Sequence, residues 1–321
     1  MIRFLQHHMI DKPRWDECVD HAVNGNLYAS SWFLDIVSPG WCALVDGDYE
    51  KVFPLPVSSK AGINYIMQPL FTQQLGLFYK STSTEDNTDE FLKSIPPEYK
   101  YIDFNLNTLN KIGVSADVSD MTNLELDLNC KYQDLASGYQ YNLQRNLKKA
   151  DQNKLTISKQ VSPEEIISLF RNNKGLELSH LNNNQYAIIQ QIASESIHKG
   201  IGEIWGANDE FNQLVAAILW ITSNKKAVFL FSALSETGKK LNAMPWLIDE
   251  FIKQNSGKPL VLDFEGSNQE GLARFYSSFG AKKIIYQRYV NNSLPLYLRI
   301  GLNLWRLSRT QVKKYLVMSK Q

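Results

Sequence analysis

Two carboxylates near the end of the chain are the residues whose type and spacing best suit catalysis. Asp263 and Glu265 lie at the end of an apolar run, Pro259–Phe264, that predicts a buried strand, and Gly266 follows them. Residues two apart on a strand point to the same side, about 7 Å apart. Such a pair at the edge of a crevice can serve as a general base or orient a nucleophile. The alternative is a structural role, in which both carboxylates pair with Lys or Arg or cap backbone N–H groups.

A helix over residues 268–278 is predicted directly after these carboxylates. Ser267 and Glu270 have the spacing of a capping box at its start. A second capping box, Ser162 with Glu165, predicts another helix that runs to about Asn172. Core packing is one explanation for the aromatic residues of the helix predicted over 268–278 and the residue after it, which are Phe275, Tyr276 and Phe279.

The elements that must position these residues recur in the same order in both halves of the chain. Each half predicts helices, an antiparallel meander, and then a helix and a strand. In the second half the meander includes a hairpin, Leu214–Thr222 with Ala227–Ala233, and a helix over 239–254 follows it. We therefore expect an α/β (α+β) protein of two similar domains, 1–128 and 129–321. Each would hold a mixed, mostly antiparallel sheet flanked by helices.

A long amphipathic helix is predicted from about Lys131 to Gln152. Its apolar residues fall on one side at 100° per residue, and its basic residues, Arg145, Lys148 and Lys149, lie on the opposite side. This basic side either binds phosphate groups of a substrate or is an ordinary solvated helix face.

Several of these segments together resemble the GNAT superfamily of acyltransferases. The match is nearest to the Fem-like aminoacyl and peptidyl transferases, which contain two GNAT domains. The resemblance rests on D-F-E-G-S at 263–267 and F-Y-x-x-F-G-A at 275–281, and it covers about residues 26–290. Further matching segments are Asn26–Leu34, Gln73–Phe78 and Arg145–Ala150.

The resemblance implies a donor site in the second half of the chain. In GNAT domains the sheet splays open between two strands, here Ala227–Ala233 and Pro259–Phe264, and the acyl donor lies in the opening. This would place Ser232 and Ala233 at the donor. A helix beginning near Gly238 would direct its N-terminus at the donor's phosphates, with Lys239 and Lys240 beside it. The coenzyme A loop would fall on Ser235–Lys240, which keeps the central glycine of the family pattern but neither end of it.

The resemblance also implies an activity. Tyr276 stands where many GNAT enzymes carry the tyrosine that protonates the leaving group. We expect an enzyme that moves an acyl or aminoacyl group to an amine, with acyl-coenzyme A or aminoacyl-tRNA as donor. An acidic or lipid-linked acceptor is expected, in cell-envelope, polysaccharide or lipid metabolism. The alternative is a non-catalytic binding module that has lost the donor site.

The distribution of charge points to an acidic partner. The net charge is +1, but residues 282–321 hold nine basic and no acidic residues, which leaves −8 for residues 1–281. Apolar residues alternate with arginines over 297–320, a composition suited to peripheral contact with an anionic membrane. The alternative is that this basic segment folds back onto the acidic remainder of the chain.

Other classes of protein are poorly supported. No apolar run approaches the roughly 20 residues of a membrane span, and the N-terminus lacks a secretory signal, so a cytoplasmic location is expected. The cysteines, Cys18, Cys42 and Cys130, lack the spacing of a zinc site or a disulfide framework, and no metal is expected. Neither a dinucleotide-binding or P-loop glycine pattern nor an H-E-x-x-H or G-x-S-x-G motif occurs.

Overall fold

The computed structural model describes residues 1–80, 87–113, 117–177, 182–265, 268–295 and 298–299. Its contacts form two compact units, one of Met1–Thr122 with residues 285–299 and one of Asn123–Ile284. The domain ranges expected from the sequence, 1–128 and 129–321, stay a prediction. The compact units have other bounds, because the chain beyond residue 284 packs with the first unit. The basic segment 297–320 lies outside the described residues, except for Leu298 and Arg299.

The described chain contains both strands and helices throughout. In chain order the strands are β1 (Arg3–Leu5), β2 (Cys42–Asp46), β3 (Lys51–Leu55), β4 (Val57–Lys60), β5 (Ile63–Met67), β6 (Phe78–Tyr79), β7 (Tyr99–Asn105), β8 (Asp117–Asp127), β9 (Thr156–Ser158), β10 (Gly202–Asn208), β11 (Leu214–Ser223), β12 (Lys226–Leu234), β13 (Val261–Asp263) and β14 (Lys282–Asn292). The helices are α1 (Lys12–His21), α2 (Ser31–Val37), α3 (Thr88–Lys93), α4 (Tyr132–Ser137), α5 (Tyr141–Ala150), α6 (Pro163–Arg171), α7 (Asn183–His198), α8 (Glu236–Lys240), α9 (Ala243–Asn255) and α10 (Glu270–Ser277).

The first unit is built on two groups of strands. One is an antiparallel sheet in the order β1-β2-β3-β6. In the other, β5 pairs antiparallel with β4 and parallel with β7, and β7 pairs antiparallel with β14. Arg288 on β14 donates two hydrogen bonds of 2.7 and 2.8 Å to Asp103 on β7, and Tyr101 donates a third of 2.8 Å. This bidentate pair fixes the register of β14 beside β7.

The second unit contains a sheet in the order β8-β13-β12-β11-β10-β9. Only β12 and β13 run parallel; β11 and β12 form the predicted hairpin. The core on one side of this sheet joins α9 and α10 to the strands through Trp220, Phe251 and Tyr276. The predicted fold class, mixed α/β with mostly antiparallel sheets flanked by helices, is confirmed.

The long helix predicted over Lys131–Gln152 is wrong, because the structure divides it into α4 and α5. At the break, the Gln140 N–H donates to the Ser278 carbonyl (2.9 Å) instead of continuing the helix. The Tyr139 hydroxyl donates to Asp249 on α9 at 2.8 Å. Tertiary hydrogen bonds at these positions therefore outweigh the helical pattern.

Two further helix predictions need correction. The helix expected over 239–254 is divided into α8 and α9 by Asn242, whose φ of +55° is left-handed. The capping box expected at 267–270 depends on Ser267, which lies outside the described residues. α10 begins at Glu270 rather than at residue 268, and its N-cap residue Gln269 makes no side-chain cap. The capping box of Ser162 is confirmed.

A buried carboxylate joins α9 to α4 and to the segment between α4 and α5. Asp249 accepts hydrogen bonds from the hydroxyls of Tyr139 (2.8 Å) and Tyr132 (2.9 Å). Burial raises the pKa of the Asp249 carboxyl, although the hydrogen bonds from both tyrosines oppose that rise. The network thus holds the basic helix α5 in a fixed position against α9.

The described residues contain neither a membrane-spanning helix nor a metal-binding cluster. No helix there is long and apolar enough to cross a membrane. No group of three His, Cys, Asp or Glu side chains that could hold a metal ion occurs in that part of the chain.

We predict that Gly76→Ala destabilises the protein by about 3 kcal/mol, through overpacking added to left-handed strain. Gly76 has a φ of +104°, and a Cβ there would lie 2.2 Å from Asn110 Oδ1, the acceptor of the Leu77 N–H. Gly40 is the matched control, because its φ is +80° and a Cβ would meet nothing within 4 Å. Gly40→Ala should cost only about 1 kcal/mol. Chemical denaturation measures the free energy of unfolding of both variants. Equal losses in Gly76→Ala and Gly40→Ala would contradict the steric argument.

Candidate functional site

The open edge of strand β12 is the central feature of the second unit. β12 and β13 pair at Lys226 with Val261, Ala227 with Leu262 and Val228 with Asp263, and the ladder then stops. Beyond Asp263 the chain stays beside β8, where the Phe264 N–H donates to the Leu124 carbonyl at 3.0 Å, and it no longer pairs with β12. Residues 229–234 therefore pair only with β11 in the described part of the chain. This is the splay predicted between Ala227–Ala233 and Pro259–Phe264.

The pairing with β11 determines which peptide groups face the opening. The Ser235 N–H donates to the Val215 carbonyl at 2.9 Å, so it points toward β11. Peptide groups alternate in direction along a strand. The amides of Ser232 and Leu234 consequently point to the open side, where they can donate to a bound group.

The side chains of this stretch divide between the two faces of the sheet. Phe231 packs against Phe170 of α6, with ring centroids 4.9 Å apart, and Ala233 is buried on that same face. Ser232 and Leu234 point to the other face, where α9 and α10 lie. Ser232 is 0% exposed, and its Oγ has no hydrogen-bond partner within the described ranges.

A cavity of about 350 Å³ lies beside the end of β12. It is lined by Asn146, Leu234, Gly238, Lys239, Asn242, Met244, Pro245 and Phe275. Of the residues predicted at the donor, Gly238 and Lys239 thus reach it. Asn242, which has no side-chain cap to α9, also lines it, so the positive end of that helix faces the cavity.

The predicted phosphate loop is a closed turn of helix in the structure. α8 begins at Glu236, and the Ser235 hydroxyl accepts from the Gly238 N–H at 3.0 Å. A Cβ on Gly238 would lie 2.3 Å from the Val215 carbonyl oxygen, so the glycine permits close packing against β11. Lys239 pairs with Glu236, and Lys240 is exposed. The expectation that a helix starting near Gly238 presents free N–H groups is wrong at Gly238, because Ser235 occupies its amide.

Asp263 lies in a buried cluster of charged and polar side chains. It accepts from Asn123 at 2.8 Å and from the Glu265 N–H at 3.0 Å. Lys226 contacts Glu125 at 2.6 Å and Asp263 at 3.9 Å. Burial and the charge of Asp263 raise the pKa of Glu125. Burial opposes the charged form of Lys226, but the two carboxylates raise its pKa above 10.5. The arrangement holds the start of β12 against the ends of β8 and β13.

Glu265 and Tyr276 lie beyond the end of β13. Glu265 has a left-handed φ of +51°, so the expectation that it extends the strand and points to the same side as Asp263 is wrong. The Tyr276 ring stacks on Phe264 at 4.6 Å and 22°, and its hydroxyl has no partner among the residues described. Complete burial, aided by the charge of Glu265, raises the pKa of Tyr276 well above 10. The 350 Å³ cavity is lined by none of Asp263, Glu265 and Tyr276.

The basic side of α5 is exposed, as the sequence predicts. Arg145, Lys148 and Lys149 face solvent, while Leu143 and Ala150 are buried. Ion pairs of these three cations are absent from the described residues. Asn146 lies on the same helix and lines the cavity, which brings the basic face next to it.

Some lining residues carried no signal in the sequence. Met244 and Pro245 belong to a helix whose pattern indicates only packing, and Asn146 lies between basic residues that alone were singled out on α5. Nothing in the sequence marks the left-handed conformation of Asn242. Glu125 lies in an alternating strand, but its pairing with Lys226 is long-range. These residues become recognisable only when the strands are placed side by side.

Comparison with known proteins identifies the fold. No protein-family model matches the sequence, and no curated protein matches it either. The solved structure of FemX has a TM-score of 0.67 at 12% identity, over 92% of this chain and 99% of that chain.

Two other solved structures give a similar result. L-PGS from Bacillus licheniformis has a TM-score of 0.54 at 11% identity, over 93% and 96% of the two chains. The C-terminal domain (DUF2156) of a protein assigned as a lysylphosphatidylglycerol synthetase from Agrobacterium fabrum has a TM-score of 0.55 at 10% identity, over 91% and 94%. The chain therefore has a GNAT-type, Fem-like fold, which confirms the resemblance on which the expectations rest.

We predict that Lys226→Met lowers the free energy of unfolding by about 3 kcal/mol at pH 7, because it leaves two buried carboxylates without their cation. The raised pKa of Lys226 means that its contribution is complete below about 10.5 and is lost as the pH rises through the higher folded-state value. The loss of unfolding free energy in Lys226→Met should also be smaller in acid, since protonation of Glu125 removes the buried negative charge of its carboxylate. Denaturation curves at pH 5, at pH 7 and above pH 11 would measure these changes.

Lys199→Met is the control for this variant. Lys199 contacts Glu195 at 3.4 Å on an exposed helix face, and such a pair contributes only about 0.5 kcal/mol. A similar loss in both variants would show that the cluster around Asp263 has no special role in stability.

Proposed function

We propose that this protein is an acyltransferase that moves an acyl or aminoacyl group from an ester or thioester donor to an amine. The observation that carries the proposal is the open edge of β12 beside the 350 Å³ cavity. Amides of Ser232 and Leu234 point into that opening without a second strand to receive them. Preorganised N–H groups of this kind stabilise the oxyanion that forms when an amine attacks a carbonyl.

Side chains beyond the end of β13, outside the cavity lining, supply the proton transfers in this proposal. The amine attacks the donor carbonyl, a C–N bond forms, and the C–O or C–S bond to the leaving group breaks. Glu265 accepts the proton of the amine, and Tyr276 donates a proton to the leaving atom. The raised pKa of Tyr276 keeps its hydroxyl protonated at neutral pH. Asp263 positions Glu265 by accepting its N–H.

The chemistry around the cavity favours aminoacyl-tRNA over acyl-coenzyme A as donor. A pyrophosphate needs several free amides, but the Gly238 amide is already bonded to Ser235, and Gly238 packs against Val215. The exposed cations of α5 instead suit a long polyanion that lies outside the cavity. The α9 N-terminus then faces the end of the donor that enters it.

An acceptor in the cell envelope is consistent with the proteins that share this fold. Solved structures with the same fold include FemX and a protein assigned as a lysylphosphatidylglycerol synthetase. We propose an amine acceptor that is acidic or lipid-linked. Peripheral attachment at the inner face of the membrane, through the basic segment 297–320, belongs to the same proposal.

A binding module without catalysis is the second candidate function. The closed turn at Ser235–Lys240 and the structural hydrogen bonds of Asp263 favour it. This candidate has lost the donor site and predicts that neither donor binds or is deacylated, whereas the acyltransferase predicts both binding and deacylation. Incubation with an aminoacyl-tRNA pool and with acetyl-coenzyme A, followed by binding and deacylation measurements, separates the two.

We predict that replacing Arg145, Lys148 and Lys149 with Gln weakens binding of a total aminoacyl-tRNA pool. Three lost phosphate contacts should reduce the slope of log affinity against log salt by about 2. The control replaces Lys60, Lys93 and Lys100, which are also exposed, with Gln, so the net charge changes equally. An equal loss in the control would mean that only net charge matters.

We predict that Tyr276→Phe lowers the rate of donor deacylation at least about 100-fold, as loss of a general acid does. Its melting temperature should not fall, because the hydroxyl has no partner in the described residues. Tyr139→Phe is the contrasting variant, because it removes a hydrogen bond to Asp249 and should lower the melting temperature. Unchanged turnover in Tyr276→Phe would assign the ring to packing alone.

A further inference from the structure

Ser232 differs from the other buried serines of the second unit in the state of its hydroxyl. Ser196, also 0% exposed, donates to the Ala193 carbonyl at 2.9 Å, and Ser278 donates to the Phe275 carbonyl at 2.5 Å. The Ser232 Oγ has no such partner in the residues that the structure describes. Buried hydroxyls are nearly always hydrogen-bonded. The Ser232 hydroxyl therefore requires a hydrogen-bond partner that is not part of the protein.

The hydroxyl of Ser232 does not stabilise the fold. Its surroundings on that face are apolar, with Phe229 and Leu234 on the same strand and the core of α9 and α10 above them. An unsatisfied hydroxyl in such surroundings is destabilising. Alanine, which the strand carries at the next residue, Ala233, would avoid this cost.

The position of Ser232 identifies the partner. Its amide points to the open edge of β12, and its side chain lies on the same face as Leu234, which lines the cavity. The amide N–H and the Oγ of one serine are attached through the same Cα, so a single oxygen atom at the edge can accept from both. That atom would be the carbonyl oxygen of the bound acyl group.

We infer that the Ser232 hydroxyl donates a hydrogen bond to the carbonyl oxygen of the transferred acyl group and strengthens that bond as the oxyanion forms. The inference rests on the proposed function and adds a side-chain donor to the backbone donors of β12. Such a donor acts on turnover more than on binding, because the negative charge exists only in the transition state. Without a bound acyl group the hydroxyl remains unsatisfied.

Ser232→Ala tests the inference, because it removes one atom and leaves the strand intact. With aminoacyl-tRNA as donor and water in place of the amine, kcat for deacylation should fall about 100-fold, as for loss of an oxyanion donor. KM should be unchanged, and the melting temperature of the unliganded protein should be equal or higher. Ser196→Ala is the matched control, and it should lower the melting temperature and leave kcat unchanged.

The outcomes distinguish this inference from the proposed function. If the wild-type protein neither binds nor deacylates the donor, the proposed function fails and this role of Ser232 fails with it. If the wild-type protein is active and Ser232→Ala has the same kcat, only the role of Ser232 is overturned. A fall in melting temperature as large as that of Ser196→Ala would show that the hydroxyl is structural, and that result also overturns the inference.

Discussion

The termination of the β12–β13 ladder at Val228 is the constraint on which the rest of the candidate site depends. Three parallel pairs hold the two strands together, and the strands then separate. The opening leaves the Ser232 and Leu234 amides free of a second strand and places the end of β12 beside the cavity. Were the ladder to continue, these amides would be satisfied within the sheet and could not act on a substrate.

The separation is stabilised at its origin by the cluster of Asn123, Glu125, Lys226 and Asp263. Burying charges is costly, and a cluster of this kind contributes little net stability compared with apolar packing. Its role is to fix positions. β8 supplies Asn123 and Glu125, whereas β12 and β13 supply one residue each, and the hydrogen bond from the Glu265 N–H to Asp263 begins the turn that ends the ladder. The polar groups therefore specify where the sheet opens, while the aromatic core around Trp220, Phe251 and Tyr276 supplies the stability.

Local patterns predicted much of the fold, and long-range contacts account for most of the rest. The hairpin, the Ser162 capping box and the opposite faces of α5 follow from periodicity and turn residues. The breaks at Tyr139 and Asn242 do not. The first follows Gly138, the C-cap of α4, but the apolar periodicity continues across that glycine, and the hydrogen bond from Gln140 to Ser278 is long-range. The second is at an asparagine in the left-handed conformation. The same holds for the site. Gly238 was expected to cradle phosphate, yet its small size serves packing against Val215. Asn146 and Met244 reach the cavity only through tertiary placement.

The open edge of β12 also affects how readily the protein can aggregate. Residues 229–234 read Phe-Leu-Phe-Ser-Ala-Leu, a segment without charge or proline, and every one of them is buried. An unpaired strand edge of this composition is a template for pairing with another chain. The helices α9 and α10 pack over the face of this strand and keep it from such contacts. Local unfolding of α10 would therefore expose the segment, so the open edge is also the point from which aggregation would start.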